Sequence, residues 1–113
     1  MAVPEWLRSK MISVQFRAGQ EAWQPALILL DECGGSYTTL SGDEGGSLDY
    51  IAHGTHPRGG EVMILHWHEN YGPLKGHTGV ETLWFQPQDQ GLNVRGTFFI
   101  DEATDYGEIS GAT

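Results

Sequence analysis

Sixteen glycines cut the 113-residue chain into short runs rich in Val, Ile, Thr and aromatic residues. Glycine weakens helices and marks turns, whereas β-branched and aromatic residues suit a pleated, half-buried surface. The punctuation therefore predicts strands joined by turns, with breaks at Gly19, Gly34-Gly35, 42–46, 54–60, 72–79, 88–91 and 101–107. Within Leu92–Ile100, positions 92, 94, 98 and 100 are apolar, 93, 95 and 97 are polar, and Gly96 falls in the apolar row. Such period-two alternation places one face on a core and the other in water. Ile12, Val14 and Phe16 alternate in the same way, and Leu48, Tyr50 and Ala52 do so less cleanly.

Three runs, Ala26 to Leu30, Val62 to Trp67 and Val80 to Phe85, are largely apolar on both faces and read as central or covered strands. A short helix is expected from Pro4 to about Met11, where Pro4 and Glu5 suit an N-terminus and Arg8 and Lys10 a C-terminal end. Its Trp6, Leu7 and Met11 would share a face and cap one end of a barrel. About seven or eight strands joined by short turns predict an all-β domain over residues 1–113, an antiparallel meander closing into a small barrel. Closure is preferred over a sandwich because it removes exposed strand edges.

Hydrophobic residues make up 39% of the chain, enough to build a core, and the formal charge is −9. Without a basic stripe, that charge argues against nucleic acid and against an anionic membrane surface as partners. It also disfavours an anionic ligand unless Arg17, Arg58, Lys75 and Arg95 converge. The longest aliphatic run, 26–30, is far short of a membrane span. With no basic-then-apolar leader pattern, a cytoplasmic location is expected. The single cysteine, Cys33, cannot form an intramolecular disulfide, and the adjacent Asp31 and Glu32 disfavour a reactive thiolate. Acidic turns at Asp31-Glu32, Asp43-Glu44 and Asp101-Glu102 with Asp105 lack calcium-loop spacing and read as solvated, or as a joint surface for a basic protein partner.

Aromatic strands broken by glycines, a Gly35-Ser36-Tyr37 turn, the Trp84-Phe85 pair and the closing Gly96-Thr97-Phe98-Phe99 resemble small calycin-like barrels of the lipocalin and avidin type. The resemblance spans most of residues 12–110 and implies a non-catalytic pocket for a small molecule at the open end of a barrel. A second resemblance is to cupins, metal-binding β-barrels. Gly60 followed after five residues by His66-Trp67-His68 matches the first half of their first motif, and His77 followed after three residues by Glu81 matches the second. This resemblance implies a divalent metal held by His66, His68, His77 and Glu81.

Read from the residues themselves, His66 and His68 lie two apart on a strand and share a face, so they could chelate a metal with a third ligand from a neighbouring strand. The reading that the geometry alone favours is a pair flanking an inward Trp67 on the solvent face. His53 and His56, in a loop, are further candidate ligands. Glu81 would be a buried base or ligand if it faces inward with Leu83 and Phe85, and its pKa would then rise. In the opposite register Val80, Thr82 and Trp84 face inward and Glu81 is exposed.

A ligand wall is expected from Trp23, Tyr50, Trp67, Trp84 and Phe98, with Gly96 as the gap among them, while Tyr37 and Phe99 belong to the same aromatic pool. No nucleophile elbow, phosphate loop, Cys-x-x-Cys pair or dinucleotide fingerprint is present in the sequence. A non-catalytic small-ligand barrel leads, ahead of a cupin-like metalloprotein and an acidic interaction or inhibitor module; no cofactor is expected beyond a divalent metal.

Overall fold

The structure is a computed structural model, and it describes residues 2–100 and 106–112. The acidic group Asp101, Glu102 and Asp105 lies outside the described residues. After a single 3-10 turn (Glu5–Leu7) come eight strands: β1 (Met11–Ala18), β2 (Gln24–Asp31), β3 (Gly34–Thr39), β4 (Gly45–Thr55), β5 (Glu61–Tyr71), β6 (Thr78–Pro87), β7 (Leu92–Ile100) and β8 (Tyr106–Ala112). Each strand pairs antiparallel with its neighbours in the chain, and β8 returns to pair with β1, closing the barrel. A cupin jelly roll is wound from Greek keys; the uninterrupted neighbour order here is a meander, so the cupin likeness does not extend to topology. No described helix is long and apolar enough to cross a membrane.

Alternation sets what faces inward. Ile12 and Val14 on β1, Leu48 on β4, Met63, Leu65 and Trp67 on β5, Leu83 and Phe85 on β6, and Leu92, Val94 and Phe98 on β7 are all buried. The imperfect alternation at Leu48, Tyr50 and Ala52 has a local cause, a register shift between Tyr50 and Ala52 where β4 pairs with β5. Such an irregularity adds a residue on one strand and changes which side its successors face.

Three expectations need correction. The N-terminal segment is one 3-10 turn rather than a helix to Met11, because Arg8 is extended and Ser9 takes a left-handed φ of 61°. Leu7 is buried, whereas Trp6 and Met11 are exposed, so the three share no face. The Gly35-Ser36-Tyr37 segment lies within β3 rather than in a turn. Finally, the runs apolar on both faces owe their outward residues to the barrel's exterior: Leu29 and Val80 are 44% and 41% exposed, and Val62 and Ile64 are half-buried.

The barrel interior has two unlike halves. Val3 and Leu7, both fully buried, cover the end where β2 finishes; the Val3 N–H donates to the Glu32 carbonyl and the Ser9 N–H to the Leu30 carbonyl. Ile12, Leu30, Met63, Phe85 and Val94 fill this half to complete burial. Burying such side chains contributes on the order of 1.5–3 kcal/mol each. The opposite half, bounded by the ends of β1, β3, β5 and β7, is hollow.

Candidate functional site

The hollow half holds a cavity of about 50 Å³. Val14, Ala26, Ile28 and Ile109 form its apolar wall, Phe16, Tyr37, Trp67 and Phe98 its aromatic wall, and Glu69 and Glu81 its polar groups. Two glycines make room for the rings. A Cβ on Gly79 of β6 would strike the Trp67 indole, and one on Gly107 of β8 would strike the Phe98 ring. Phe98 in turn meets Trp67 edge to face at 5.5 Å and Phe16 at 6.1 Å, and Phe16 meets Tyr37 at 6.4 Å. These separations are within the range in which aromatic pairs attract, so the wall is a connected set of rings.

Both carboxylates are inward residues of otherwise apolar rows. Glu69 continues the row Met63, Leu65, Trp67 on β5, and Glu81 lies between Gly79 and Leu83 on β6. They are 6% and 7% exposed. The Tyr37 hydroxyl and the Trp67 indole N–H, the latter at 3.3 Å, both donate to Glu69 Oε1. Glu69 Oε2 and Glu81 Oε1 are buried and have no hydrogen-bond partner among the described residues. Burial alone pushes the Glu81 carboxyl up to about 7. Burial also pushes the Tyr37 phenol well above its ordinary range, reinforced by its bond to Glu69 and by the negative charges of Glu69, Glu44 and Glu81. Glu44, in the β3–β4 loop, is raised as well, by partial burial and then by repulsion from Glu69, Asp43 and Glu21.

The residues singled out in the sequence divide by location. Trp67 and Phe98 line the cavity together with Tyr37. Trp23 lies in the β1–β2 loop beneath the Arg17 guanidinium, which sits 4.6 Å from its ring centre. Trp84 is outside the barrel, stacked on His56 at 3.8 Å and donating to the Gly59 carbonyl at 2.9 Å, so it fastens the β4–β5 loop. The Tyr50 hydroxyl bonds to His53 Nδ1 at 2.6 Å. Phe99 faces outward. Gly96 is in the inward row but does not line the cavity; a Cβ there would meet the Thr82 carbonyl and, at 2.7 Å, a methyl of Leu83.

The four residues proposed for a metal are not brought together. Glu81 points into the barrel, while His66 and His68 are on the outer face of β5. His77 lies in the β5–β6 loop, where its carbonyl accepts from the Glu69 N–H. The third partner of the histidine pair is instead Asp49, opposite His66 on β4. His68 Nε2 is 2.9 Å from Asp49 Oδ2, the two imidazoles are 4.5 Å apart, and one ligand atom from each of the three residues lies within 4.8 Å of the others.

The architecture is that of a closed eight-stranded antiparallel barrel, plugged at one end and hollow at the other. Comparison with known proteins finds no matching family model, curated protein or solved structure.

Proposed function

We propose that the protein is a non-catalytic container for a small molecule, of the calycin-like kind its sequence resembles. The observation that carries this reading is the cavity at the open end, with its aromatic wall and few inward polar groups. Ligand sites are commonly concave and apolar with a small number of placed polar groups. The asymmetry between packed and hollow halves supports it, because void space in a barrel that could have been filled forfeits packing energy. Native mass spectrometry tests it: the wild type should carry a non-covalent small molecule that Ala26→Phe, which fills the cavity, does not. Identical adduct-free spectra, together with equal responses of both proteins to added small organic probes, would remove the reading.

A second reading, a divalent-metal site, is supported by the Asp49, His66 and His68 cluster on the outer sheet face. Two imidazoles and a carboxylate are a donor set suited to zinc. Its test is isothermal titration with zinc, in which a metal site requires binding that disappears in the His66→Ala/His68→Ala double variant.

A further inference from the structure

We infer that the cavity takes a small organic cation, with a primary ammonium head held between Glu69 and Glu81. The inference rests on the container reading above and names the ligand class. Its foundation is a pair of oxygens, Glu69 Oε2 and Glu81 Oε1, that have no partner among the described residues, on carboxylates that are each more than nine-tenths buried and line the same void. A buried carboxylate oxygen without a donor is costly, and the cavity wall contains no basic residue to supply one. The nearest candidate on β1, Arg17, turns outward and pairs with Glu108 at 3.2 Å.

An ammonium group offers three N–H donors and a positive charge, the complement of what the two glutamates leave unsatisfied. The rings of Trp67, Phe98 and Tyr37 line the same cavity, and aromatic π-systems attract cations. Glu44, whose charge is felt by Tyr37, extends the negative field at this end of the barrel, and the chain's charge of −9 favours cation approach. An anion would meet repulsion. A bare metal ion would find too few oxygen ligands in a wall otherwise built of carbon and rings. Size sets the scale: about 50 Å³ corresponds to the space of a few waters, which suits an ammonium head with a short alkyl chain.

The test compares n-propylammonium with n-propanol, of nearly equal shape, by NMR titration of the full chain at about pH 8.5, where Glu81 is ionised. Glu69→Gln keeps an oxygen for Tyr37 and Trp67 while removing the charge, and Glu81→Gln removes the other. The expected result is propylammonium binding at least about tenfold tighter than propanol, weakened about ten- to hundredfold by each substitution, with propanol affinity nearly unchanged. The Trp67 indole N–H signal should shift on binding. Equal affinity for the two probes, or full propylammonium affinity in the double variant, overturns the cation inference and leaves the container reading standing. Binding of neither probe to the wild type overturns both.

Discussion

Trp67 lies across Gly79, its register partner on β6, so that the indole occupies the space a side chain would take. The aromatic wall of the cavity therefore depends on a missing side chain in the next strand. Gly79→Ala, whose Cβ would press on the Phe99 carbonyl as well as on the indole, is expected to displace Trp67 and destabilise the fold by about 1–3 kcal/mol or more. Urea melts read the stability, and quenching of indole fluorescence by acrylamide reads the displacement; an unperturbed variant would mean that the ring has room to spare.

Gly96 behaves differently, because it abuts the Thr82 backbone and Leu83 rather than the cavity. Gly96→Leu should lower stability by overpacking, about 1–3 kcal/mol or more, without blocking propylammonium in whatever fraction remains folded. Thermal melts beside a binding titration check this, and a stable variant with lost uptake would place the cavity elsewhere than described.

Stability should fall as pH rises from about 4.5 to about 7. The Glu81 carboxyl is raised from 4.5 to about 7 in the folded chain, so the native state holds its proton more tightly than the unfolded chain. Its contribution is complete below about 4.5 and is lost as pH rises towards 7, a change of up to about 3 kcal/mol. Glu44, also raised, acts in the same direction. The titratable groups that line the cavity with Glu81 are Tyr37 from β3 and Glu69 from β5, while β5 and β7 place the non-titrating Leu65 and Phe98 opposite it. Glu81→Gln should be more stable than wild type at about pH 8 and nearly equal at about pH 4.5. Chemical denaturation at the two pH values measures it; no gain at the higher pH would show that Glu81 is solvated.

If zinc binds the outer face, Asp49→Ala should weaken it by about ten- to hundredfold, comparable to loss of either histidine, because Asp49 is the only carboxylate in the described cluster. Calorimetric titration of the three single variants distinguishes this from a site formed by the two histidines alone, in which Asp49→Ala would have no effect.

Strand placement was legible wherever one face of a strand meets water. Leu92–Ile100 and the row Ile12, Val14, Phe16 were readable from alternation, and the closed meander followed from the number of such runs. The cavity was less legible. Trp67 and Phe98 stood out by size, but Trp23 and Trp84 look the same in sequence and are used on the exterior, where a cation and a loop claim them. Glu69 is hard to read as inward because an acidic residue beside Asn70 and Tyr71 resembles a solvated strand end. The continued period of two from Met63 through Leu65 and Trp67 was the signal that could have placed it inward. Gly79 and Gly107 required knowledge of which ring sits on the next strand, and cross-strand register is not written in local composition.

The closure of β8 onto β1 has a kinetic consequence. Seven of the eight strand contacts join elements consecutive in the chain, and only the pairing of Val14–Ala18 with Gly107–Gly111 spans nearly the whole sequence. Hairpins can form locally and early, but joining the two ends must overcome the loop-closure entropy of almost the entire polypeptide. That join is sealed on its outer side by the Arg17–Glu108 ion pair and on its inner side by Ile109. Contacts formed last change unfolding rates more than folding rates. Substitutions at Ile109 should therefore shorten the lifetime of the closed ring while hardly slowing its formation.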